Sequence, residues 1–249
     1  MNKFILLKKA PKLLYSGERI TLPNSVIEQI EKYWLELISS GKNFRRGDVF
    51  TISKVNEKNG EISVEISLSD YAHYLATING KIDKEYACRV VHSSVMIETL
   101  DGEFIFGEMG GDTALPGRIQ CIGGGITRED LSNDGKTIDI EKNAANEMAE
   151  EVGLFADNGF HVKEFFPWAI VESGPNDFLG VVYWAKALMG IDEFLRHYAK
   201  FEAELIEKGK KPELSKIIHV SKGLKDKGGW LSEISNSYAE YLPLIFEKI

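Results

Sequence analysis

Asn146-Glu147-Met148-Ala149-Glu150-Glu151-Val152-Gly153-Leu154 is the stretch of this 249-residue chain on which its reading turns. At about 100° per helical residue, the three glutamates fall within an arc of about 100°. Ala144, Ala145, Met148 and Val152 fill the neighbouring arc, which faces a core. That spacing predicts a helix over residues 140–152, with Gly153 in a left-handed cap and apolar Leu154 behind it. Glu147 meets Glu150 at i,i+3 and Glu151 at i,i+4, like-charge pairs that each cost roughly 0.2–0.5 kcal/mol in an isolated helix. A hard divalent cation reverses that sign, and clustered carboxylate oxygens suit Mg²⁺ or Mn²⁺. Taken alone, such a run is more often a solvated acidic face, so its surroundings decide.

Upstream, an apolar strand over residues 119–122 runs into Gly123-Gly124-Gly125, where backbone can approach a metal or a phosphate closely. Before it, residues 89–99 and 103–107 flank Asp101-Gly102 as a hairpin, and residues 48–55 and 62–67 flank Asn59-Gly60 as another. Helical periodicity covers residues 23–40, 69–76, 191–208 and 230–248, and strands are expected at 164–172, 179–187 and 216–221. Strands interspersed with helices argue a mixed α/β fold with a helix-covered sheet. The charged stretch 81–85 is the expected seam between an N-terminal α+β extension, residues 1–84, and a main domain, residues 85–249.

Composition narrows the function. The chain carries 43% hydrophobic and 27% charged residues, enough for a packed core without metal or disulfide support. A formal net charge of −8 and the lack of a long basic run argue against nucleic acid or anionic membrane as partner. No apolar run approaches the roughly 18 residues of a membrane span, and the first residues do not read as a secretory signal. Cys88 and Cys121 form neither a disulfide framework nor a metal-ligand spacing, so a cytoplasmic setting is expected.

Gly124, five residues, Asp130, a spacer, and then Asn146-Glu147-Met148-x-Glu150-Glu151-x-Gly153-Leu154 resembles the Nudix box, usually written G-x5-E-x7-R-E-U-x-E-E-x-G-U with U apolar. Three positions depart from it. Asp130 replaces the first glutamate, the spacer is fifteen residues long (131–145), and Asn146 stands in the arginine slot. The extra residues, around the turn Asn133-Asp134-Gly135, are expected to loop out at the surface, since closure entropy grows slowly with length. Losing the arginine removes a group that, in the family, orients the helix carboxylates. The resemblance implies an α/β/α sandwich over residues 85–249 that hydrolyses a nucleoside diphosphate derivative. Glu150 and Glu151 would hold Mg²⁺, Glu147 would bind metal or deprotonate water, and a backbone carbonyl at Gly123 or Gly124 would complete the shell. A second, looser resemblance runs from residue 67 to 154. Leu68-Ser69-Asp70-Tyr71-Ala72-His73-Tyr74-Leu75-Ala76-Thr77, Pro116-Gly117 and the long spacer look like Nudix hydrolases that split UDP-sugars into UMP and a sugar 1-phosphate. A non-catalytic nucleotide-binding Nudix domain, or an ADP-ribose-type pyrophosphatase, is the alternative.

Family members often draw a further acidic ligand or base from a downstream loop, for which Glu172 and Asp177 are the candidates, although turn chemistry alone accounts for residues 173–176. Arg89, Arg118 and Arg128 are candidates to pair with diphosphate oxygens, against the plainer reading of surface arginines. Tyr71 and Tyr74, at i,i+3, either stack on a base or sugar or simply pack. Phe194, Tyr198, Phe201 and Leu205 make a helical stripe that serves as core or as the contact of a homodimer.

Overall fold

A computed structural model describes residues 3–111, 113–156, 159–224, 226–234 and 237–249. The strands are β1 (Lys3–Leu6), β2 (Lys12–Arg19), β3 (Asp48–Lys58), β4 (Glu61–Asp70), β5 (Val91–Glu98), β6 (Glu103–Met109), β7 (Ile119–Gln120), β8 (Thr137–Ile138), β9 (Val162–Ser173), β10 (Phe178–Ala187) and β11 (Leu214–Ser221). The α-helices are α1 (Asn24–Ser39), α2 (Tyr71–Ile78), α3 (Ile140–Val152), α4 (Ile191–Glu207), α5 (Lys227–Ile234) and α6 (Leu242–Phe246).

The main sheet runs β1-β9-β10-β5-β6-β11, with β7 paired to β6. It is mixed, since β10 pairs β5 in parallel and β9 antiparallel. Because side chains alternate across a strand, the sheet builds two cores. Val95, Ile97, Ile105, Val181 and Tyr183 face Ala144, Met148 and Val152 of α3 and Phe194 and Tyr198 of α4. Met96, Phe104, Phe106 and Val182 face Leu231, Leu242, Ile245 and Phe246 of α5 and α6. The result is the expected mixed α/β/α sandwich. The α4 stripe is core at Phe194 and Tyr198, with Phe201 packed against them. No helix among the described residues is long and apolar enough to cross a membrane.

A second sheet, ordered β3-β4-β2-β8, lies beside the first and adds Phe50, Val64, Ile66 and Leu68 to the same core as α3. Its hairpin turns at Asn59 and Gly60, both with positive φ (54° and 76°), as the Asn-Gly signal requires. Strands from either side of residue 84 contribute to both sheets. β1 pairs with β9 at the edge of the main sheet, and β8 pairs with β2 in the second.

Two local expectations are corrected. The long spacer does not simply loop out. Asp134 caps its turn by accepting from the Lys136 N–H (2.7 Å), Gly135 has φ 65°, and Ile138 is buried opposite Leu13. An apolar residue three positions past the turn glycine turned a surface loop into a strand. The closing helix expected over 230–248 is interrupted, with residues 235 and 236 of it outside the described residues. The Ile119 N–H donates to Ser237 O (3.0 Å) and the Ala239 N–H donates to Ile119 O (2.8 Å). The chain there is committed to β7, and a new helix begins only at Leu242 with Pro243 in its first turn.

The α3 terminus gives a stability test. Gly153 sits at φ 72°, ψ 18°, and an added Cβ would lie 2.7 Å from the Phe201 ring. The left-handed backbone alone costs a non-glycine residue roughly 1–2 kcal/mol. Gly80 has a similar φ of 61° but open space around it. Gly153→Ala is therefore expected to lower the melting temperature more than Gly80→Ala in parallel thermal unfolding, at about 2–4 °C per kcal/mol for a chain this size. Equal losses would show that Phe201 yields freely.

Candidate active site

Helix α3 is fixed at both ends by its own sequence. Asp139 caps its start by accepting from the Lys142 N–H (3.0 Å), and Gly153 ends it in the left-handed conformation with its N–H on Ala149 O. Ile140, Ala144, Met148 and Val152 bury one face. A neighbouring row, Asn143-Glu147-Glu151 at i,i+4,i+8, lies against the glycine triplet.

Each member of that row meets a different glycine. Glu151, only 5% exposed, accepts from the Gly123 N–H through Oε2 (2.9 Å). The Glu147 carboxylate lies where a Cβ on Gly124 would stand, so a larger residue there would displace that carboxylate. Asn143 Nδ2 approaches Gly125 O at 3.5 Å. Gly123 is needed for a second reason: at φ 142° its Cβ position faces Ser93 O of β5 at contact distance too short for any side chain. The opposite edge of the triplet is pinned to β5, where the Ser93 N–H donates to Gly124 O (3.0 Å).

The electrostatics are those of crowded anions. Burial pushes the Glu151 carboxyl well above the usual carboxylate range; Glu213 pushes the same way, and the Gly123 N–H opposes both. Burial, then Glu213, Glu150 and Asp130, raise Glu147 to about 7. Glu150 is exposed. Glu213 precedes β11 and is anchored by its own carbonyl, which accepts from the Gly110 N–H (2.8 Å). Its side chain remains open to solvent, while crowding on the protein side and Glu150 raise its carboxyl. Water screens its charge, so its pull on the helix is felt as a bias rather than as a buried pair. Sequence reasoning missed Glu213, because one acid after Lys-Lys-Pro at a strand start carries no distinguishing signal.

Among the described residues, no group of three or more His, Cys, Asp or Glu side chains is already drawn together as a metal-ligand set. The donors nonetheless suit a hard cation. Glu151 Oε1 is buried with no hydrogen-bond partner, a state that costs about 1–3 kcal/mol and more for a charged oxygen. A divalent ion beside it would satisfy that oxygen and offset the repulsion from Glu147 and Glu213.

The triplet forms part of the lining of a cavity of about 690 Å³ between the two sheets. Tyr71 and Tyr74 of α2 and Phe178 of β10 form part of its wall as a stacked ladder, with ring centroids 5.6 and 5.9 Å apart. Arg118 and Lys211 are cations on the lining, Arg118 in an ion pair with Glu240. His92, also on the lining, has its pKa pushed down to about 4 by burial and is neutral at neutral pH.

The remaining candidates gather elsewhere. Arg89 binds Glu172 (2.9 Å) and donates from Nε to Asp177 O (2.6 Å), and Asp177 pairs with Lys84 (2.7 Å). These three are partnered with one another or with Lys84, and none of them lines the cavity. Arg128 pairs with Asp48. Asp130 is 6% exposed and accepts from the Thr127 N–H (2.7 Å) and Asn143 Nδ2 (3.1 Å), while Asn146 is exposed.

No protein-family model matches the chain, and no curated protein sequence matches it. Solved structures similar to it include a protein from Deinococcus radiodurans (12% identity, 64% of this chain and 82% of that one, TM-score 0.41). A putative Nudix hydrolase is similar over 74% of this chain and 80% of its own (12% identity, TM-score 0.41). The Nudix domain of Shewanella oneidensis NrtR, crystallised with ADP-ribose, is similar over 71% and 94% respectively (12% identity, TM-score 0.39).

The raised carboxylates set a pH dependence. A carboxyl raised on folding adds stability below its unfolded pKa and loses it as pH rises through the folded value. For Glu147 that window runs from about 4.5 to about 7. The metal-free chain is expected to lose roughly 1–3 kcal/mol across it, screening included, with Glu151 acting in the same direction. Denaturant titrations from pH 4.5 to 8 should show this fall, and millimolar Mg²⁺ should flatten it. A stability that rises over that range without metal would contradict the electrostatics.

Proposed function

We propose that the chain is a metal-dependent hydrolase of the diphosphate linkage in nucleoside diphosphate derivatives. One observation carries the reading: a buried carboxylate oxygen, Glu151 Oε1, lacks a partner beside the glycine triplet that lines the cavity. Glu147, Glu150 and Glu151 would hold Mg²⁺ or Mn²⁺, with the Gly124 carbonyl as a further oxygen. Bound there, the ion would supply a water of lowered pKa and neutralise charge on the diphosphate. Glu147, in place of a ligand role, or Glu213 across the cavity would take the proton from the attacking water. The Gly123 N–H holds Glu151 in place, and Arg118 and Lys211 supply positive charge for phosphate oxygens at the wall. Arg89, Glu172 and Asp177 would then act as a brace behind the cavity rather than as substrate contacts.

The substrate we favour is a UDP-sugar, split to UMP and a sugar 1-phosphate. Support comes from the Leu68–Thr77 phrase, which supplies Tyr71 and Tyr74 of the aromatic wall, and from a cavity large enough for a nucleotide. Residues 1–84 would thus complete the cleft that the main domain, 85–249, begins. Two buried free thiols, Cys88 and Cys121, fit a cytoplasmic setting. Asn146 in the arginine slot and Asp130 in place of the first glutamate support the second reading, a nucleotide-binding domain without turnover.

A hydrolysis screen of nucleoside diphosphate derivatives with Mg²⁺ or Mn²⁺ separates these. Phosphorus NMR in ¹⁸O-labelled water identifies the products and the phosphorus attacked. Glu151→Gln is expected to lower kcat/KM by at least about 100-fold while keeping or raising stability. Glu213→Gln is expected to lower kcat by at least about 10-fold if it is the base. Faster turnover of ADP-ribose than of any UDP-sugar would sink the substrate, and binding without turnover would favour the second reading.

A further inference from the structure

The arginine slot of the box is empty of charge, yet the helix and the glycine loop are tied together at a different residue. Asn143 lies one turn before Glu147 in the row that faces the triplet, and it is 3% exposed. Its Oδ1 accepts from Ser93 Oγ (2.6 Å), and its Nδ2 donates to Asp130 Oδ2 (3.1 Å). Ser93 is 1% exposed and belongs to β5, the strand that also holds Gly124 O. Asp130 is 6% exposed and closes the loop leaving the triplet, binding both the Thr127 N–H and Thr127 Oγ1. One amide therefore joins three elements: the central sheet, the loop between triplet and helix, and the helix itself. Asn146 is exposed and takes no part in this tie.

We infer that Asn143 is the positioning residue that does here what an arginine at position 146 would otherwise do, holding the Glu147 and Glu151 carboxylates in register with Gly124 and Gly123. This rests on the metal-dependent reading above. Glu147 and Glu151 lie one and two turns beyond Asn143 on the same row, so a tie at Asn143 sets how closely both approach the triplet. The Gly123 N–H restrains only the far end of the row. Asn143 restrains the near end with a neutral amide that satisfies a buried carboxylate on one side and a buried hydroxyl on the other. A buried amide with both ends satisfied fixes orientation at little electrostatic cost.

The test measures Mn²⁺ affinity by electron paramagnetic resonance and, separately, amide exchange over residues 123–130. Asn143→Ala removes the tie. Asn143→Asp keeps the oxygen that faces Ser93 and replaces the donor to Asp130 and Gly125 O with a second carboxylate oxygen that repels Asp130. Both are expected to weaken Mn²⁺ binding by about 10–100-fold, the usual range for residues that orient metal ligands, and to speed exchange in the loop. Asn146→Ala is expected to change neither. If both Asn143 variants fail to fold, Ser93→Ala, which removes one bond of the tie, should weaken Mn²⁺ binding and speed exchange to a smaller degree. A folded Asn143→Ala that binds Mn²⁺ as tightly as the parent overturns the inference, as does an unchanged Ser93→Ala in the fallback. If the parent binds Mn²⁺ and Glu151→Gln abolishes it while Asn143→Ala does not, only the positioning role falls. If the parent binds no Mn²⁺, the metal-dependent reading falls and this inference with it.

Discussion

The contact between one helix face and three glycines sets the terms for the rest of this molecule. A row spaced i,i+4,i+8 along α3 advances about 6 Å per step, close to the 6–7 Å covered by two residues of extended chain. Consecutive glycines advance at most about 3.8 Å each, less than the row does, so the side chains of Asn143, Glu147 and Glu151 converge on the triplet. A side chain at Gly123 would meet the backbone of β5, and one at Gly124 would displace the Glu147 carboxylate from its place. The two carboxylates are thereby held in a place where, without a cation, they are electrostatically uncomfortable. The surrounding core supplies what holds them there: Ala144, Met148 and Val152 are fully buried against the sheet.

This arrangement explains why so much of the protein was legible in the sequence. The α3 boundaries, its left-handed glycine cap and both hairpin turns follow from local chemistry, which is written in adjacent residues. The core-facing positions of α3 and α4 follow from helical period alone. What escaped was non-local. β1 and β2 carry short runs, Lys3–Leu6 and Lys12–Arg19, that become strands only because β9 and β4 offer edges. β8 has two residues, too few for any periodicity. The end of α5 was hidden because helical spacing continued past it, while the backbone of residues 237–239 found partners on β7 instead.

The candidate site divides along the same line. Glu147, Glu150, Glu151 and the glycines sit in a motif of fixed spacing and were found there. Glu213 approaches them from the start of β11, and nothing in its neighbours marks it out. Glu172 and Asp177 look like free acids in a turn, but Arg89 and Lys84 come from elsewhere in the chain to neutralise them. Asn143 reads as an ordinary polar residue of a helix until the fold places Ser93 and Asp130 at its two ends. Spacing reveals groups that act together on one element, whereas charge compensation between elements becomes visible only in three dimensions.

The contribution of strands from both sides of residue 84 to each sheet bears on how the chain is made. During synthesis β2 emerges early, but its partner β8 lies beyond the whole of β3 to β7, and β1 must wait longer still for β9. The second sheet stays unfinished until β8 has emerged and the main sheet until β9 to β11 have, so the nascent chain carries open strand edges until late in synthesis. Pairings this distant in sequence slow folding, because loop entropy is lost before the contacts form. Such edges also invite pairing with other chains. A protein built this way depends on prompt completion, or on a chaperone that covers the waiting edges, more than its modest size alone would require.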